Sequence, residues 1–93
     1  MRGCLVANWI ALPVGSSSRV GVITSRKVGE AVQRSRARRL MRESFRMHRH
    51  DLVVIIDLVL IARPSIVGKT RPEVTRDFLT ILEKTGLLRK AEN

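Results

Sequence analysis

Between Arg34 and Arg46 the sequence RSRARRLMRESFR packs six arginines into thirteen residues, and this segment restricts the fold more than any other. Ala37, Leu40, Met41, Ser44, Phe45 and His48 recur at i, i+3, i+4, i+7, i+8 and i+11, a continuous stripe for a 3.6-residue repeat. Arg34, Arg36, Arg38, Arg39, Arg42 and Arg46 take the rest of the circumference at about 100° per residue. The spacing predicts a helix from Glu30 to about Arg49, with one face in a core and a cationic surface around the rest. Only Glu43 opposes the six arginines within the run. In water alone they repel one another at i,i+4 spacing, whereas guanidinium forks bind phosphate oxygens bidentately and release condensed counterions.

The rest of the composition agrees with that charge. Ninety-three residues support one domain, residues 1–93, and an apolar share of 44% is globular. Eighteen Lys and Arg against eight Asp and Glu leave a net charge of +10, which points to a polyanionic partner. Trp9, Phe45 and Phe78 are the only aromatics, too few for a module that works mainly by stacking bases. Cys4 is the only cysteine, so neither an internal disulfide nor a zinc ribbon is available. The apolar run VVIIDLVLIA is ten residues long with Asp57 inside it, about half of the ~20 a spanning helix needs. The segment from Cys4 to Val14 carries Asn8 and Trp9 and follows a single arginine, which argues against an export signal. The chain reads as cytoplasmic, with no membrane partner.

Pro13 and the run Gly15-Ser16-Ser17-Ser18 separate two apolar segments, Leu5 to Leu12 and Val20 to Ser25, and predict an antiparallel hairpin with a loose loop. Gly29 permits a sharp exit towards the arginine helix. Leu52 to Arg63 is either one long strand or a loop followed by a strand from Asp57, and its near-continuous apolar character suits a central strand covered on both faces. Arg63-Pro64 ends it. Thr70 and Glu73 have the spacing of a capping box with Pro72 in the first turn, and Val74, Phe78, Ile81 and Leu82 form the stripe of a last helix that stops at Gly86. The order β-β-α-β-α predicts an α+β fold, a small two-layer sandwich.

No catalytic constellation and no metal site is legible. The carboxylates show no paired pattern, His48 and His50 fall on different helix faces, and Gly21 and Gly29 do not make a phosphate loop. A helix that offers almost only arginine suits backbone contacts on a structured RNA rather than base reading in DNA.

The ordered residues RVGVITSRKVG from Arg19 to Gly29, then Ala31-Val32, then the run from Arg34 to Arg46, resemble the protein subunit of bacterial ribonuclease P. The similarity continues through DLVLIAR, from Asp57 to Arg63, and more weakly into the last helix. The resemblance implies a mixed sheet in which the arginine helix sits in a left-handed crossover between parallel strands. It implies two partners, the catalytic RNA subunit and the 5′ leader of precursor tRNA. Hydrolysis is performed by that RNA with Mg²⁺, the protein itself binding no cofactor. By position, Arg34, Ser35, Arg36, Arg38, Arg39, Arg42 and Arg46 would form the RNA-facing surface. Lys27, with Arg26, would stand at the edge of a leader cleft to which Trp9 would add an aromatic. Two departures stand out. Ser35 occupies a position where the family has Asn, and Met1 lies almost at the first strand, so the family's N-terminal helix is expected to be missing. Two other readings remain: a basic ribosome-associated RNA-binding protein with no role in cleavage, and a membrane-surface module whose apolar stripe would have to be exposed.

Overall fold

Residues 56, 58, 60 and 62 are buried while 57, 59 and 61 are only half-buried, the two-residue alternation of a strand with one face in a core. This strand organises the sheet. The computed structural model describes residues 3–88. Its elements run β1 (Leu5–Ala11), β2 (Arg19–Ile23), α1 (Ala31–His48), β3 (Ile56–Ala62) and α2 (Arg71–Lys84), with single 3₁₀ turns at Arg26–Val28, Arg49–Asp51 and Pro64–Ile66. The sheet order is β1-β3-β2. β3 pairs antiparallel with β1, Leu5 opposite Ala62 and Ala11 opposite Ile56, and parallel with β2, Arg19 opposite Asp57 and Ile23 opposite Ile61.

The expected β1–β2 hairpin is therefore absent: β3 lies between the two strands. The physical reason is burial. β3 is the most apolar of the three strands, so the central position, with hydrogen bonds on both edges, goes to it. The connection over residues 12–18 is long enough to pass its end rather than fold back as a turn. The double coverage expected of the third strand is also corrected, because helices pack on one face only, which makes this a two-layer sandwich. Of the two readings of residues 52–63, the loop followed by a strand is the one observed.

The core sits between that face and the helices. α1 contributes Ala37, Leu40, Met41 and Phe45, α2 contributes Val74, Phe78 and Leu82, and the sheet contributes Leu5, Ile56, Leu58, Leu60 and Ala62. Ser44 is the one buried polar residue among the described ones. Its hydroxyl bonds the Leu40 carbonyl oxygen at 3.0 Å and lies 3.0 Å from Thr75 Oγ1, which ties α1 to α2. The start of α2 follows its sequence signal: Thr70 Oγ1 accepts the Glu73 N–H at 3.3 Å, and Glu73 Oε1 accepts the Thr70 N–H at 2.9 Å. The Thr70 N–H, and after it the Thr70 hydroxyl, which donates to Glu73 Oε1 at 3.1 Å, hold the Glu73 carboxyl below its ordinary pKa.

Gly29 delivers the chain from the Arg26–Val28 turn into α1 at φ +131°, ψ −155°, a region open essentially to glycine alone. A Cβ there would also collide with Gln33 Oε1, which accepts the Glu30 N–H at 2.8 Å and closes the first turn of α1. Gly29→Ala is therefore expected to lower stability by about 1–3 kcal/mol, read as a fall in melting temperature. An unchanged melting curve would contradict this view of the turn.

Candidate nucleic-acid interface

With the core stripe fixed by packing, the outward side of α1 follows from helical geometry. Ser35, Arg39, Arg42 and Arg46 fall within an arc of about 60° opposite the core, at i, i+4, i+7 and i+11. Arg39, Arg42 and Arg46 are exposed and make no hydrogen bond or ion pair among the described residues. They form a row about 10 Å long, at 1.5 Å per residue.

The other three arginines are half-buried and tied into the fold. Arg34 Nη1 donates to the Gly29 carbonyl oxygen. Arg38 Nη1 donates to Thr24 Oγ1 at 2.7 Å, just past β2, and its Nη2 donates to Ser35 Oγ at 3.2 Å. On the opposite flank Arg36 Nη2 donates to the Lys69 carbonyl oxygen at 2.8 Å, and Glu43 lies 4.0 Å from Arg71. The sequence presents six equivalent arginines, whereas the structure divides them into an outer row and two flanks that fasten α1 to its neighbours.

The sheet face away from the helices is open. It carries Val6, Asn8 and Ile10 of β1, Asp57, Val59 and Ile61 of β3, and Arg19, Gly21 and Ile23 of β2, as the register requires. A shallow concavity of about 450 Å³ lies over Asn8, Ile10, Arg19, Gly21, Asp57 and Val59, and the strand residues between them, Trp9, Val20 and Leu58, also border it. Gly21 places no side chain in it, and a Cβ there would meet nothing within 4 Å. Arg26 and Lys27 are exposed in the 3₁₀ turn that leaves β2, where Ser25 Oγ accepts the Lys27 N–H at 3.3 Å and buried Val28 pins the turn. Trp9 is apart from that turn. It pairs with Leu58, so it shares the helix-covered face, at the level of Val20, where it remains 38% exposed. From that level to Ile23 is about 10 Å along the sheet at 3.3 Å per residue, and the turn lies beyond. Arg26 and Lys27 thus stand together, and Trp9, which borders the concavity, does not join them.

One feature of this face escapes sequence reading. Arg19 donates through Nε to Asp57 Oδ1 at 2.8 Å and through Nη2 to Oδ2 at 2.7 Å, across β2 and β3. The hydrogen bonds from Arg19 hold the Asp57 carboxyl below its ordinary pKa. A lowered carboxyl pKa contributes stability that is present above the unfolded-state value and is lost as pH falls through the folded one. The pair should therefore support the fold at neutral pH and lose that support below about pH 4. Asp57→Asn is expected to flatten that part of the acid limb of the stability–pH curve; an acid limb identical to that of the unsubstituted protein would contradict it. Separated by 38 positions, the two residues carry no local pattern that announces the contact.

Near the first residue of β1, burial pushes the Cys4 thiol up to about 12, with a hydrogen bond to Asp77 adding to the effect. Asp77 Oδ2 also accepts the Cys4 N–H at 3.0 Å. His48 Nδ1 lies 3.0 Å from Asp51 Oδ2. Among the described residues no group of His, Cys, Asp and Glu is arranged to hold a metal ion, and no helix is long and apolar enough to cross a membrane.

A three-stranded mixed sheet, covered on one face by two helices of which the first bears an outward row of arginines, defines a small α+β class with a cationic helix. Comparison with known proteins narrows it: the family model for Ribonuclease P matches residues 5–86, and the chain belongs to that family. The ribonuclease P protein component of Clostridium beijerinckii is 41% identical over 75 residues, 81% of this chain and 60% of the relative. That of Brevibacillus brevis is 34% identical over 73 residues, 78% of this chain and 58% of the relative. The chain thus spans about 60% of the length of these curated relatives. The ribonuclease P protein of Staphylococcus aureus has the same fold, with a TM-score of 0.78 at 21% identity over 96% of this chain and 81% of that one. That of Thermotoga maritima gives 0.76 at 22% identity over 90% of this chain and 79% of that one.

Proposed function

We propose that this chain acts as the protein component of a ribonuclease P holoenzyme, binding the catalytic RNA subunit and the 5′ leader of precursor tRNA while the RNA, with Mg²⁺, hydrolyses the phosphodiester. The observation that carries the reading is the outward row Arg39, Arg42 and Arg46, which has no protein partner among the described residues. Such a row gains by meeting phosphates and gains nothing in water. Ser35, on the same arc, adds a hydroxyl.

The open sheet face suits a single strand. Lys27 and Arg26 stand at the end of β2 beside it, and Ile10, Ile23, Val59 and Ile61 offer apolar surface for ribose and base edges. Trp9 borders the concavity of that face from a position whose register pairs it with Leu58 on the helix-covered side. Four of the carboxylates are engaged by their neighbours: Asp57 by Arg19, Glu73 by Thr70, Asp77 by the Cys4 N–H and Asp51 by His48. That supports a helper of RNA chemistry over a protein nuclease.

Cleavage of a precursor tRNA by a transcribed ribonuclease P RNA subunit at limiting Mg²⁺ tests the proposal. The protein should lower the Mg²⁺ needed for correct 5′ processing and should cleave nothing by itself. No effect on the RNA's Mg²⁺ requirement, or metal-dependent cleavage by purified protein alone, would contradict it.

A further inference from the structure

The cationic row does not end with α1. Arg49 follows α1 directly, but His48 leaves helical torsions at φ −117°, ψ 12°, so Arg49 opens the 3₁₀ turn Arg49–Asp51 rather than a further turn of the helix. Arg49 and the adjacent His50 lie past the arginine run that the sequence singles out. Both are exposed, and with Ser16, Ser17 and Ser18 on one side and the apolar segment 52–55 on the other they border a concavity of about 400 Å³. The connection over residues 12–18 is thereby brought against the C-terminal end of α1.

The chemistry of this pocket is that of a phosphate seat. Arg49 supplies a guanidinium, His50 a ring nitrogen, and the serines supply neutral hydroxyl donors. Ser18 Oγ accepts the Ile56 N–H at 3.0 Å and makes no other bond among the described residues, so its own proton is available to an acceptor outside. The turn's one carboxylate, Asp51, is engaged by His48. Guanidinium and hydroxyl donors bordering one space, without a free carboxylate on that turn, favour an oxyanion over a cation.

We propose that the pocket formed by Arg49, His50 and Ser16–Ser18 holds a backbone phosphate of the RNA subunit, where the strand that follows the arginine row leaves α1. The proposal rests on the function proposed above. It adds a contact made by the loop between β1 and β2, outside the arginine helix.

The test measures affinity for a transcribed ribonuclease P RNA subunit across a salt series, with melting curves for every variant. Arg49→Ala should weaken binding about tenfold, as the loss of one charge-assisted hydrogen bond does, and should make the log–log salt slope shallower by about 0.7–0.9. Ser17→Asp, at an exposed loop position with no part in the core, should weaken binding by a similar factor without a change in melting. Thr80→Asp on α2 makes the same charge change away from the pocket and should have a much smaller effect, since salt screens distant charges. Wild-type affinity for Arg49→Ala, or equal losses from Ser17→Asp and Thr80→Asp, would overturn the phosphate seat. If Arg39→Ala and Arg42→Ala still weaken binding in that case, the proposed function stands without it; if they too bind normally, the reading on which it rests falls as well.

Discussion

Replacing Arg39, Arg42 and Arg46 together by alanine should weaken binding to the RNA subunit by at least about a hundredfold, given that a hydrogen bond to a charged group is worth about 1.5–3 kcal/mol. The log–log salt slope should become shallower by about 2–2.7, because each neutralised phosphate contributes about 0.7–0.9. Stability should move the other way. The three side chains are exposed and make no bond among the described residues, so nothing holding the fold is removed. Relief of i,i+3 and i,i+4 repulsion is worth a few tenths of a kcal/mol per pair. A triple variant that melts at or slightly above the parent temperature while losing the RNA fits this account. A variant that keeps its affinity and salt slope shows that the outer row is not the contact surface.

Phe45→Ala should do the reverse. Phe45 is 6% exposed and packs in the core with Ala37, Leu40 and Met41 on the inward stripe of α1. A buried Phe→Ala change costs about 3–5 kcal/mol, against a total of about 5–15 kcal/mol for an ordinary domain. At about 4–8 °C per kcal/mol for a chain of this size, the melting temperature should fall by more than about 12 °C. Binding measured well below that temperature should stay within a few-fold of the parent. A Phe45→Ala protein that melts normally but loses the RNA would mean that the faces of α1 are reversed.

The faces of α1 were legible because a helix repeats every 3.6 residues, and six core-type positions in phase leave no second orientation. The capping box at Thr70 and the positive-φ exit at Gly29 were legible for a similar reason, since each depends on residues at most four apart. Strand order was not. Leu5–Ala11 and Arg19–Ile23 read as hairpin partners because they are neighbours in sequence with turn residues between them. Which strand takes the centre depends instead on how much apolar surface each can bury, a comparison over the whole sheet. The same limit hid the division among the arginines. Arg36 reaches the Lys69 carbonyl, 33 residues away, and Arg38 reaches Thr24, 14 residues away, and no local spacing encodes either contact. The Arg19–Asp57 pair needs the parallel register of β2 and β3 before its partners can be matched. The cationic surface as a whole was plain from composition, while its outer row emerged only with the packing.

The division of the six arginines is the central claim, and six single alanine variants measured for both melting temperature and affinity for the RNA subunit test it most directly. Arg39→Ala, Arg42→Ala and Arg46→Ala should each lower affinity, about tenfold for a lost charge-assisted bond, and leave the melting temperature unchanged. Arg34→Ala, Arg36→Ala and Arg38→Ala should each lower the melting temperature, because each gives up a half-buried bond to Gly29, Lys69 or Thr24. Their affinity, measured below the transition, should fall less. Six variants that lose affinity equally with no change in melting would contradict the division and leave a uniform cationic cylinder in its place.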